Sequence, residues 1–215
     1  MTSAADIHGR SFDAVLCDID GVIRFYDDDL VSSLEERAGL PTGTTAAIGF
    51  APENDLPLLL GQITRQQWAD SIVQGLVPEV SLAVAQELAV AFAERGSRAD
   101  EAVVGLLRQV RSRCPLVLVS NATAWLDDDL ELLGLGDLAI DVVNSALVGA
   151  AKPDRRIYEV AAERAGVPAD RCLFVDDREE NVGAAAELGM TTVLYRSADG
   201  LREALAPVLR PSPQT

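Results

Sequence analysis

Four short, largely apolar runs, 12–17, 115–119, 172–175 and 191–195, constrain this chain most. Each is rich in Val, Leu or Ile, and apolar side chains on successive positions suit a parallel strand covered on both faces. A weaker run of the same kind spans 139–143. Helical patterns lie between them. Residues 102–111 put Val103, Leu106, Leu107 and Val110 on one face, after the capping signal Ser97-Arg98-Ala99-Asp100. Residues 154–165 end at Gly166 with Pro168 just beyond, and 179–188 end at Gly189. Residues 198–209 carry Leu201, Leu205 and Val208 at helical spacing. This strand–helix alternation predicts an α/β fold with a doubly wound, Rossmann-like parallel sheet.

The first strand is separated from the others by a long segment without clear strands of its own. Residues 30–38, 64–75 and 81–93 read as helices. The expected organisation is therefore an α/β core made of residues 1–23 and 97–215, with a helical cap, 24–96, inserted after the first strand. The Pro-containing end, 207–215, reads as a frayed tail. At 48% hydrophobic residues, the chain can fill a core of this size.

The net charge of −16 argues against nucleic acid and anionic membranes as partners. No apolar run approaches the roughly 18 residues of a membrane span, and residues 1–10 show no secretory h-region. Cys17, Cys114 and Cys172 are an odd count without metal spacing, which reads as reduced thiols in a cytoplasmic protein. Nothing in the sequence sets an oligomeric state.

Polar residues gather where four of these segments end or begin. Asp18 and Asp20 follow the first strand, and Gly21 allows a tight turn. Ser120 and Asn121 follow the second, ahead of a helix whose first N–H groups can bind an anion. Lys152-Pro153 opens a further helix, and Asp176, Asp177 and Asn181 follow the strand 172–175. In an open parallel sheet, ligands bind beyond the carboxyl ends of the strands. Acids, a hydroxyl, an amide and one cation collected there suit Mg²⁺, a hard ion that takes oxygen ligands, together with a phosphate. Asp18, Asp20 and Asp177 can supply the oxygens.

Charge assigns the roles. Two unit charges about 4 Å apart interact with about 4 kcal/mol at an effective dielectric near 20, so a carboxylate approaching a phosphate dianion needs Mg²⁺ and Lys152 to offset the repulsion. A carboxylate nucleophile would form an acyl-phosphate that water cleaves later. The single histidine, His8, lies in the N-terminal tail, which leaves Asp20 as the better proton donor to the leaving alcohol. The acidic runs 27–29 and 127–129 lack calcium-loop spacing and read as helix starts or wet surface. Arg24, Phe25, Tyr26 and Trp68 fall in or near the cap, as substrate contacts or as packing.

Taken in order, Asp18-Ile19-Asp20-Gly21-Val22, Ser120-Asn121, Lys152-Pro153 and Asp176-Asp177 with Asn181 resemble the four motifs of the haloacid dehalogenase superfamily, in its first class with a small helical cap. The resemblance implies Asp18 as nucleophile and Asp20 as general acid and base. It implies Mg²⁺ held by the Asp18 side chain, the Asp20 carbonyl and the Asp177 side chain, with Asp176 in or next to that shell. Ser120 and Lys152 would hold the phosphoryl group, with Asn121 beside them as a phosphate-binding candidate. The chain departs from the pattern at Asp176, where a glycine is common, and at Asn181, where an acid is common. The expected activity is hydrolysis of a small phosphorylated metabolite, a sugar phosphate among the candidates. A phosphomutase, a 2-haloacid dehalogenase and a non-catalytic phosphate-binding module stand as alternatives; the second Asp, Asp20, favours phosphate over carbon–halogen chemistry.

Overall fold

The computed structural model describes residues 12–209; His8 and the tail beyond residue 209 lie outside the described residues. The chain begins with strand β1 (Ala14–Cys17) and the short β2 (Arg24–Tyr26). Five helices follow: α1 (Asp29–Ala38), α2 (Thr44–Gly49), α3 (Pro52–Leu59), α4 (Arg65–Leu76) and α5 (Leu82–Ala93). Next come β3 (Ser97–Ala99), α6 (Glu101–Arg111), β4 (Leu116–Ser120), α7 (Leu126–Leu132), β5 (Asp141–Asn144), α8 (Ser145–Val148) and α9 (Arg155–Ala165). The chain closes with β6 (Cys172–Asp176), α10 (Glu179–Glu187), β7 (Thr191–Leu194), α11 (Ala198–Ala204) and α12 (Ala206–Leu209).

Five strands form one parallel sheet in the order β5–β4–β1–β6–β7. Side chains alternate between its faces. Val15 and Cys17 of β1, Leu116 and Leu118 of β4, and Leu173 and Val175 of β6 enter one core beneath α6, α7, α11 and α12. Ala14 and Leu16, Val117 and Val119, and Cys172 and Phe174 enter the other, beneath α9 and α10. Each fully buried Leu or Ile in these layers contributes about 1.5–3 kcal/mol. The expectation of strands covered on both faces holds for β1, β4 and β6. It fails for β7, which is only half-buried because it lies at the sheet edge. The chain winds to one side of β1 through β4 and β5 and to the other through β6 and β7. The carboxyl end of β1 therefore lies where the winding reverses, the usual place for a ligand.

The insert packs around its own apolar core, including Val31, Leu34, Trp68, Ile72, Leu88 and Phe92. Thr64 and Gln67 cap α4 reciprocally. The buried carboxylate of Glu35 accepts from the Gly43 and Thr45 amides at 2.7 and 2.6 Å, serving the start of α2, which has no side-chain cap of its own. Helices α2 and α3 carry too little amphipathic period to be read from the sequence.

Strands do flank the insert, contrary to the sequence reading: β2 pairs antiparallel with β3, Arg24 opposite Ala99. Each is only three residues long, Arg24-Phe25-Tyr26 and Ser97-Arg98-Ala99, too short to show a strand pattern. Residues 97–99, read as part of a capping segment, belong to this ribbon, and Asp100 alone caps α6. The expected boundaries, 24 and 97, fall on the ribbon, so the insert leaves and rejoins the sheet at one place. A single helix over 198–209 is also not observed. It divides into α11 and α12 at Leu205, two residues before Pro207, whose missing N–H cannot continue the α-helix that precedes it. No helix among the described residues is long and apolar enough to cross a membrane.

Candidate active site

β1 delivers Asp18 to the sheet's carboxyl edge, 5% exposed. Its Oδ1 accepts from the Ile19 amide at 2.6 Å and lies 2.7 Å from Lys152 Nζ. Lys152 Nζ also donates to Asp176 Oδ2 at 2.7 Å. This ammonium is 1% exposed as a side chain and bridges two buried carboxylates. Burial alone would push the Lys152 ammonium down, but Asp18 and Asp176 outweigh it and hold it above the usual lysine range. Burial pushes the Asp18 carboxyl up to about 8, against the pull of Lys152 and with the help of Asp176.

Asn121 holds Lys152 in place through the backbone. Its side-chain amide donates to the Lys152 carbonyl at 2.8 Å and accepts from the Lys152 amide at 2.6 Å. The Asn121 side chain thus ties together the loops after β4 and α8. Asp176 is filled as an acceptor. Oδ1 receives the Arg178 amide and Asn181 Nδ2, and Oδ2 receives Lys152 and Asn181 Nδ2. These bonds let Asp176 orient Lys152.

Asp177 stands beside them. Asp18, Asp176 and Asp177 each place an oxygen within 4.8 Å of the others. Burial, then Asp176, push the Asp177 carboxyl up. Three acids share one ammonium, with the Asp18 and Asp177 carboxyls both pushed up by burial, and among the described residues Ser120 Oγ and Asn181 Oδ1 are buried without partners. Such an oxygen-rich, under-neutralised site fits a hard divalent cation. Asp18 and Asp177 have the capacity to hold it, since Oδ2 of Asp18 has no hydrogen-bond partner among the described residues.

Asp20 faces away from the ammonium. Its two oxygens accept from Arg24 Nε and Nη2 at 2.6 and 2.9 Å, and Arg24 Nη1 reaches Asp129 Oδ2 at 3.0 Å. Burial works against the Arg24 cation, yet the Asp20 pairing holds it above its ordinary range. Asp129 belongs to the first turn of α7, as expected for that acidic run, but its place at the site was not legible because Arg24 lies 105 positions away. The pairing of Arg24 to Asp20, four residues apart, left only that spacing as a clue. A cavity of about 730 Å³ opens above Asp18, with Trp68, Ser120, Lys152 and Asp177 in its wall, and α3 adds Asp55 and Leu56. That volume suits a small-molecule ligand.

A parallel sheet with acids, a lysine and a hydroxyl at its carboxyl edge, lining a half-open cavity, is a candidate hydrolase site on an α/β fold. The chain belongs to the haloacid dehalogenase-like hydrolase family, whose model matches residues 12–189. It is 24% identical over 191 residues to acyl-CoA dehydrogenase family member 10 of Mus musculus, covering 86% of this chain and 18% of that protein. It is 34% identical over 129 residues to the 5-amino-6-(5-phospho-D-ribitylamino)uracil phosphatase YigB of Escherichia coli, covering 59% of this chain and 52% of that one. The chain thus spans about half or less of the length of these relatives. In fold it resembles a HAD family enzyme of Bacteroides thetaiotaomicron solved in complex with magnesium and inorganic phosphate, at a TM-score of 0.65 and 22% identity over 86% of this chain and 94% of that one.

Proposed function

We propose that this chain is a Mg²⁺-dependent phosphatase that hydrolyses a small phosphorylated metabolite through an aspartyl-phosphate at Asp18. The buried Lys152 carries the reading: it bridges Asp18 and Asp176 at 2.7 Å each, with Asp177 alongside. The named activity of the Escherichia coli relative and the magnesium and phosphate bound by the Bacteroides enzyme support it.

Asp18 attacks phosphorus as the ester P–O bond breaks, and the departing oxygen takes a proton from Asp20. Water then attacks the acyl-phosphate, Asp20 accepts its proton, and inorganic phosphate leaves. Lys152 stabilises the charge on the phosphoryl oxygens, and Ser120 Oγ donates to one of them. The Asp18 side chain, the Asp20 carbonyl and the Asp177 side chain would hold Mg²⁺, which when bound draws charge from the phosphoryl group. Asp176 and Asn121 keep Lys152 in position. Helices α1 to α5, residues 24–96, act as the cap that excludes water and selects the substrate.

The test is release of p-nitrophenol from p-nitrophenyl phosphate by the pure protein with Mg²⁺ and with excess chelator. Loss of turnover in chelator and its return with Mg²⁺ is expected; equal rates in both would overturn the metal requirement.

Gly21 provides a sharper probe of Asp177. Its φ is +79°, and a Cβ there would lie 2.3 Å from Asp177 Oδ2, so Gly21→Ala both strains the turn and displaces the carboxylate. A loss of about 10–100-fold in Mg²⁺ affinity is expected, read from the Mg²⁺ dependence of the rate. An unchanged dependence would remove Asp177 from the metal.

Both Asp20 oxygens accept from Arg24, so Asp20 donates a proton only once that fork opens. Asp20→Asn should therefore lower kcat/KM, which reports the first chemical step, about 10²–10⁴-fold with alkyl esters and far less with p-nitrophenyl phosphate, whose leaving group needs no proton. Equal losses across the two esters would argue against the acid role.

A further inference from the structure

Part of the cavity wall is apolar, although Asp55, Ser97 and Thr123 also line the cavity. Tyr26, Phe50 and Leu56 are 38%, 52% and 48% exposed, among the large hydrophobic residues that the fold leaves uncovered, and all three line this cavity. Scattered exposed apolar side chains are ordinary, but several converging on one concave surface mark a ligand. Trp125 joins them at the start of α7, packed on the insert's core. They come from four parts of the chain: β2, the end of α2, α3 and the residue before α7.

The cations of the same wall are already engaged. Arg24 is spent on Asp20 and Asp129. Arg95 donates to the Phe92 carbonyl, lies 3.3 Å from Asp28, and has its guanidinium over the Tyr26 and Phe92 rings at 4.2 and 4.0 Å. Arg65 donates to the Ala93 carbonyl and lies over the Trp125 ring at 5.3 Å. Arg178, at the rim, is 3.4 Å from Glu180. A second anionic group beside these residues would also meet the Asp55 carboxylate, and a polyhydroxylated group would gain less there than an aromatic ring, because Phe50 and Leu56 offer it no hydrogen bond.

We infer that the substrate is a monophosphate ester of an alcohol bearing an aromatic group, with its ring seated against Tyr26, Phe50, Leu56 and Trp125 and with no second anionic group. This rests on the phosphatase reading and narrows it away from sugar phosphates. Aromatic rings bury a large area with few rotatable bonds, and the flanking arginines Arg65 and Arg95 present cationic edges to the same space.

The test compares kcat/KM, with Mg²⁺, for 2-phenylethyl phosphate, ethyl phosphate, glucose 6-phosphate and fructose 1,6-bisphosphate, all esters of aliphatic alcohols. The expected result is at least a tenfold preference for 2-phenylethyl phosphate over each of the others, about 1.4 kcal/mol. Phe50→Ala, and separately Leu56→Asn, should shrink the ratio of 2-phenylethyl to ethyl phosphate at least threefold. Two exposed sites in different helical segments guard against a folding defect in one. Glucose 6-phosphate or the bisphosphate hydrolysed as well as 2-phenylethyl phosphate would overturn the inference and leave the phosphatase standing. So would an unchanged ratio in both variants, or turnover of p-nitrophenyl phosphate without any of 2-phenylethyl phosphate. Failure to release phosphate from any ester, p-nitrophenyl phosphate included, would overturn both.

Discussion

Asp18→Asn is expected to lower kcat for phosphate ester hydrolysis by on the order of 10⁴-fold or more, the scale on which loss of a nucleophile acts, while the protein remains folded. An amide oxygen is a poor nucleophile and carries no charge, so both the attack on phosphorus and one anionic metal ligand are lost together. The fold should not suffer. Asp18 is 5% exposed, and burial holds its carboxyl at about 8, well above the about 3.9 of an unfolded chain. The folded state therefore retains a proton that the unfolded chain has released, and this group makes stability fall as pH rises from about 4 toward 8. Asparagine removes that dependence, while Lys152 keeps Asp176 as its partner. Thermal melts in chelator across this pH range should show a flatter profile for the variant than for the parent. Melts with Mg²⁺ should show a smaller rise, because a ligand stabilises the fold only through its affinity for the native state. Retained turnover in pure Asp18→Asn would remove the proposed nucleophile; a collapse of the melting temperature would show that Asp18 is structural.

The second large effect is expected at Lys152. Its ammonium lies between Asp18 and Asp176 at 2.7 Å from each, and its side chain is 1% exposed. Lys152→Met keeps much of the stem's bulk and deletes the charge, leaving two carboxylates in a buried site. Removing one member of a buried ion pair costs about 3–5 kcal/mol because the remaining charge stays uncompensated. Urea unfolding in chelator should register a loss of that size, and saturating Mg²⁺ should recover part of it by supplying positive charge to the same acids. Turnover should not recover, because the cation on the phosphoryl oxygens is gone. A loss below about 1 kcal/mol would match an exposed pair rather than a buried one and would contradict the geometry.

Much of this site was legible in the chain. The β1, β4 and β6 runs are apolar on every position because both faces of each strand are covered, a local pattern that survives without knowledge of the partners. A run that ends in paired acids marks its own carboxyl end, so Asp18, Ser120 and Asp176 could be placed at strand termini from order alone. What was not legible depends on pairings across long separations. Arg24 was read only as a cap residue, yet it holds Asp20 and reaches Asp129. Asn121 also ties its side chain to the backbone of Lys152, 31 positions away. The β2–β3 ribbon was invisible because strands of three residues are too short to carry a period.

The sequence by itself determined the α/β class, the helical character of the insert and the set of acids, lysine and hydroxyl at the strand ends, since hydrophobic period and residue chemistry are local properties. Only the tertiary structure decided which of those side chains remain open for chemistry and which are consumed in holding others. That division depends on who fills each lone pair and each N–H, and Asp18 keeps an unpartnered oxygen where Asp176 has none. The apolar wall of Tyr26, Phe50, Leu56 and Trp125 belongs to the same category: four residues from separate segments acquire a common surface only when the insert folds over the sheet.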